Sequence, residues 1–67
     1  MNIHNENRYQ LQMRNTEDNS TLLITTDYVQ KGKMLGDMFH GVRRNWVGRL
    51  IDTYEDGLVI KLWEYHV

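Results

Sequence analysis

The densest run of chemically capable side chains is Phe39-His40-Gly41-Val42-Arg43-Arg44-Asn45-Trp46. Two guanidiniums and an imidazole lie between two aromatic rings. With Lys31, Lys33 and Arg49, residues 31–49 set five cations against Asp37 alone, a net of +4, while the rest of the chain nets −5. Cations beside aromatic faces suit two tasks. One is single-stranded nucleic acid, whose phosphates meet the cations and whose bases stack on the rings. The other is a protein partner, because Trp, Tyr and Arg dominate interface hot spots. The whole chain carries a net charge of −1, whereas a dedicated nucleic-acid binder is usually basic overall. A protein partner is therefore the first expectation and nucleic acid the alternative. The expected contact residues are Lys31, Lys33, His40, Arg43, Arg44, Trp46 and Arg49, joined by Tyr54 and Tyr65 on the C-terminal hairpin. The competing reading is a solvated basic loop with Trp46 in the core.

Catalytic and metal chemistry find less support. His4, His40 and His66 have no helical or motif spacing to one another, and the chain has no cysteine. No metal site and no cofactor are expected. Gly32-Lys33-Met34-Leu35-Gly36 lacks the Gly-Lys-Ser/Thr ending of a phosphate loop. Ser20 is the only serine, with no base beside it. Asp52 and Glu55 sit near a hairpin end, where carboxylates are ordinarily just solvated. Asn19-Ser20-Thr21 matches a glycosylation sequon but reads as a turn. The expectation is a non-enzymatic protein.

The elements that must carry these residues follow from periodicity. Residues 1–7 read as a flexible polar tail and residues 8–67 as one small domain. From Arg8 to Arg14 the chain alternates strictly, with Tyr9, Leu11 and Met13 on one side. Six turn-formers, Asn15 to Ser20, lead into a β-branched run from Thr21 to Thr26, predicting a first antiparallel hairpin. In the segment 27–41, Met34, Leu35, Met38, Phe39 and Val42 recur at helical spacing, with Asp27 or Thr26 as a cap and Gly41 as its terminator. Gly32 and Gly36 each cost about 1 kcal/mol relative to Ala inside a helix. The prediction is a short helix over 33–40, or a structured loop.

Residues 45–54 and 58–67 are two β-rich runs around Glu55-Asp56-Gly57. Asp-Gly favours a two-residue type I′ loop. That loop sets Asp52 opposite Lys61, Leu50 opposite Trp63 and Arg49 opposite Glu64, matching charges across the strands. Val47, Ile51, Ile60 and Leu62 then share one face, and Trp46, Leu50, Tyr54, Val59, Trp63 and Tyr65 the other. Two apolar faces exceed what one core side needs, so the second must meet the middle segment, close a barrel or bind another chain.

The predicted fold is α+β to mostly β: two antiparallel hairpins, about four strands, joined by a short helix or structured loop. The stretch Gly48-Arg49-Leu50-Ile51-Asp52-Thr53-Tyr54-Glu55-Asp56-Gly57-Leu58-Val59-Ile60 resembles the bent hairpins of SH3-like and Sm-like small barrels. The likeness extends over the hairpin that carries this stretch, about 20 residues, and implies a fold, not a function.

Size narrows the choice. A chain of 67 residues buries only about 60% of its unfolded surface. A homodimer or a partner-dependent fold is expected, because association adds stability by mass action. No apolar run approaches the ~20 residues of a membrane span, and residues 1–7 lack a signal-peptide core. The expectation is a cytoplasmic inhibitor or regulator of a larger macromolecular machine, of the kind phages and mobile elements use.

Overall fold

A computed structural model describes residues 6–42 and 45–65. The element order is β1 (Tyr9–Asn15), β2 (Thr21–Thr26), α1 (Val29–Val42), β3 (Trp46–Asp52), a 3₁₀ turn (Thr53–Glu55) and β4 (Leu58–Trp63). The strands form one antiparallel sheet in the order β2-β1-β3-β4, so β2 and β4 are its edges and the sheet is open rather than closed into a barrel. This is the α+β arrangement of two hairpins around a helix that the sequence predicts.

The first hairpin follows its periodicity. Leu11 pairs with Ile24 and Met13 with Leu22, and Leu11 and Met13 are buried. The loop between the strands is held by Asn19 in a left-handed conformation, φ 62°. Asn15 Oδ1 accepts from the Glu17 amide at 2.8 Å. Asp18 Oδ1 accepts from the Ser20 amide at 2.9 Å. The sequon at Asn19 is thus a turn. Residues 6 and 7 are tied to the sheet: Tyr54 Oη donates to the Glu6 carbonyl, and Asp27 Oδ1 accepts from the Asn7 amide.

The helix is longer than predicted, running from Val29 to Val42 and including Gly41 rather than ending at it. The two glycines that argue against a helix are the reason it can pack. A Cβ on Gly32 would lie 2.6 Å from Leu50 Cδ1, and one on Gly36 would overlap the Trp63 ring. Both glycines face the sheet and let the helix approach it closely. The sheet-facing stripe is Val29, Gly32, Leu35, Gly36 and Phe39, packed on Leu11, Met13, Leu50 and Trp63. Met34 and Met38, predicted on that stripe, are exposed on the outer side. Neither predicted cap binds the first turn in the expected way. Thr26 Oγ1 accepts from the Tyr28 amide ahead of the helix, and Asp27 takes the Asn7 amide.

The second hairpin also departs from its predicted register. Gly48 faces Trp63, Arg49 faces Leu62 and Leu50 faces Lys61; a bulge follows, and Ile51 faces Val59. Asp56 and Gly57 both take positive φ, 53° and 77°, as an Asp-Gly turn requires. They sit, however, at the end of a five-residue connection, closed by the Gly57 amide donating to the Asp52 carbonyl. The cause is Asp52. Its carboxylate is buried and receives Arg8 Nε at 2.9 Å and Arg8 Nη2 at 2.8 Å. It also accepts from the Tyr54 amide and so starts the 3₁₀ turn. The Thr53 amide and hydroxyl both donate to the Arg8 carbonyl. Asp52, the last residue of β3, is therefore held by Arg8 at the start of β1, and Lys61 reaches Asp37 on α1 instead. The bulge moves Ile60 to the core side and Val59 to the opposite face.

Candidate functional site

Among the described residues, those predicted to form one basic and aromatic surface are spread over separate elements. Lys31 is exposed and Lys33 half-buried, both on α1. His40 Nδ1 donates to the Trp46 carbonyl at 2.8 Å, locking the helix end to β3. Trp46 is half-buried, packs on the core and tilts against Phe39 with ring centroids 5.6 Å apart. It anchors rather than projects. Tyr54 is exposed at the opposite end of β3, its ring 5.3 Å from the Arg8 guanidinium. Tyr65 is exposed just past β4. Arg43 and Arg44 lie outside the described residues. Arg49 alone stands on the broad sheet face.

No described element covers that face. The helix covers the side of Leu11, Met13, Leu50 and Trp63. Strand alternation sends Gln10, Gln12, Arg14, Thr21, Leu23, Thr25, Val47, Arg49, Ile51, Val59 and Leu62 to the other side. Its β3–β4 half is apolar: Ile51 opposes Val59, and Leu62, 56% exposed, stands beside Arg49. Leu23, 61% exposed, adds an apolar contact on β2. A polar seam divides the two halves. Arg49 Nε donates to Gln12 Oε1 at 2.8 Å, and Gln12 Nε2 donates to Gln10 Oε1 at 2.6 Å. Across the strands Arg49 faces Gln12, and Arg14 faces Val47.

The strand positions of this face include no Asp or Glu and no aromatic residue. Among the described residues neither Arg14 nor Arg49 forms an ion pair; the two ion pairs are Arg8–Asp52 and Lys61–Asp37. The exposed surface is therefore apolar and cationic, with its guanidiniums uncompensated. Arg14 and Leu23 are absent from the sequence-based prediction. Their signal was present: strict alternation in β1 places Arg14 with Gln10 and Gln12, and Leu23 follows Thr21 by two.

Elsewhere the chemistry is sparse. A shallow groove of about 390 Å³ opens beside the start of α1, lined by Tyr9, Asp27, Tyr28, Val29 and Gln30. Its one carboxylate, Asp27, accepts from the Asn7 amide. No group of three His, Cys, Asp or Glu gathers among the described residues, and no described helix is long and apolar enough to cross a membrane. Hydrogen bonds from Lys61 and from the Trp63 indole hold the Asp37 carboxyl below the usual carboxylate range. Compared with protein-family models, curated proteins and solved structures, the chain matches none.

Proposed function

We propose that the chain is a non-enzymatic protein-binding module whose open sheet face takes an acidic, apolar surface of a protein partner. The observation that supports this is the composition of that face: Val47, Ile51, Val59 and Leu62 share it with the guanidiniums of Arg14 and Arg49, neither of which has an ion-pair partner among the described residues. Apolar side chains supply the burial, and arginine forks seek carboxylates in planar, bidentate geometry. The same face weighs against the single-stranded nucleic-acid reading. Bases need rings to stack on, and the strands of this face present none: Tyr9, Phe39, Trp46 and Trp63 pack toward the core, and the exposed Tyr28, Tyr54 and Tyr65 lie outside the strands. A small cytoplasmic inhibitor or regulator of a larger machine, of the phage or mobile-element kind, is the role we assign to such a surface.

The test is affinity capture from the native host with and without nuclease, using the wild-type chain and Leu62→Asp. Leu62 is exposed, so the substitution leaves the fold intact while placing a carboxylate among the apolar contacts. The expected result is a protein retained by the wild type, unaffected by nuclease and lost with Leu62→Asp. Capture that disappears on nuclease treatment would transfer the assignment to nucleic acid.

A further inference from the structure

We propose that β2 is where two copies of the chain join, antiparallel across a two-fold axis, to make one continuous eight-stranded sheet. The argument starts from the two edges. An edge strand offers unpaired N–H and C=O groups, and proteins that must stay apart guard such edges with bulges, lysines or prolines. The β4 edge is guarded: it carries the bulge at Ile60 and Lys61. The β2 edge, Thr-Leu-Leu-Ile-Thr-Thr, has no charge, no proline, no glycine and no register shift.

The groups that would pair can be named. The Asn15 amide donates to the Ser20 carbonyl, and the Thr53 amide donates to the Arg8 carbonyl. In an antiparallel ladder the backbone alternates from one neighbour to the other. Ser20, Leu22, Ile24 and Thr26 therefore turn their backbone groups toward β1, and Thr21, Leu23 and Thr25 turn theirs outward. Three outward residues spaced by two can pair with their own symmetry copies in one centred register. Leu23 then faces the partner's Leu23, and Thr21 faces the partner's Thr25.

That register is self-complementary on both faces. Leu23 is 61% exposed and would meet its own copy, flanked on either side by a Thr–Thr pair. On the helix side the half-buried Leu22 would meet the partner's Ile24. No like charges are brought together anywhere along the strand. Such an isologous contact closes after two copies. It is independent of the occupant of the open face, which the two-fold axis doubles in area without covering.

The test uses charge pairs that only this register reads. The wild type is expected to show concentration-dependent dimers in sedimentation equilibrium between about 10 µM and about 1 mM. Thr21→Lys/Thr25→Lys sets lysine against lysine on both sides of the axis, and should weaken dimerisation by about tenfold. Thr21→Lys/Thr25→Glu puts opposite charges at the same places and should restore it. Both positions are exposed on the edge strand, and circular dichroism checks that each variant folds. A second readout uses the absence of cysteine in the natural chain. Leu23→Cys should cross-link to itself under mild oxidation, and Leu62→Cys on the guarded edge should not. A chain that stays monomeric at the highest concentration overturns the proposal. So does a dimer indifferent to the paired lysines.

Discussion

Gly36 lies directly beneath the indole ring of Trp63, with no room between them for even a methyl group. This contact sets how closely α1 approaches the sheet. Trp63 is the largest side chain of the buried core, and it fills the space that Gly36 leaves open.

Gly36→Ala should therefore destabilise, although alanine is the better helix former. The gain in helix propensity is about 1 kcal/mol, and overpacking a well-filled core costs about 1–3 kcal/mol. Gly41 is the control. It lies in the same helix without a positive φ, and a Cβ there meets nothing within 4 Å. Gly41→Ala should stabilise by about 0.5–1 kcal/mol. Urea unfolding of both variants checks the opposite signs.

Acid should weaken the fold through Asp52. Hydrogen bonds from Arg8 hold its carboxyl below the usual range; burial pushes the other way, and the Tyr54 amide adds to the lowering. The unfolded chain then binds this proton at a higher pH than the folded one. The pair's contribution is complete above about pH 4 and is lost as pH falls through the lowered folded value. Thermal melts between pH 7 and pH 2 should show a falling limb. Asp52→Asn should lower the melting temperature at pH 7 and make that limb shallower. Asp18, lowered by Ser20, and Asp37, lowered by Lys61, should leave part of it in place.

These two sites also show what the sequence could and could not reveal. Both hairpins were legible because period-two alternation and turn residues are local signals, as at Leu11, Met13 and Asn19. The helix length was not, because Gly32 and Gly36 read as breakers until Leu50 and Trp63 stand opposite them. The second register was not, because the partner of Asp52 is Arg8, 44 residues away. The candidate face was half legible. Val47, Ile51 and Leu62 shared a side in the predicted hairpin, and that side had to meet something. The bulge that adds Val59 and removes Ile60 left no mark in composition.

Asp37 should matter through Trp63 more than through Lys61. Its Oδ1 accepts from Trp63 Nε1 at 2.8 Å and from Lys61 Nζ at 2.7 Å. The Lys61 pair is solvent-exposed on both sides, and such pairs are worth about 0–1 kcal/mol. The Trp63 side chain is buried, and an indole N–H left without an acceptor costs about 1–3 kcal/mol. Asp37→Ala should therefore destabilise more than Lys61→Met. Asp37→Asn, which keeps an acceptor oxygen, should fall near Lys61→Met. Equal losses for Asp37→Ala and Asp37→Asn would assign the effect to the ion pair instead.

The two arginine pairs separate the open face from the basic segment that the sequence singled out. Arg14 is exposed, and its Nη1 donates to Asn19 Oδ1 at a long 3.3 Å. Arg49 is exposed and donates through Nε to Gln12. Neither anchors the core, so Arg14→Glu/Arg49→Glu should leave the melting temperature within a few degrees. If the partner presents carboxylates, reversing both charges replaces attraction with repulsion. Truncating one hot-spot residue typically costs more than 1 kcal/mol, about fivefold in affinity, and a double reversal should exceed that. Added salt should strengthen what binding remains instead of weakening it, because it then screens a repulsion where it had screened an attraction. Arg43→Ala/Arg44→Ala is the matched control in the same binding assay. If the open face makes the contact, this change should alter affinity by less than about twofold, the scale of an ordinary solvated charge. The reverse pattern, with Arg43 and Arg44 carrying the affinity, would return the binding surface to the segment around Trp46 and leave the sheet face to another purpose.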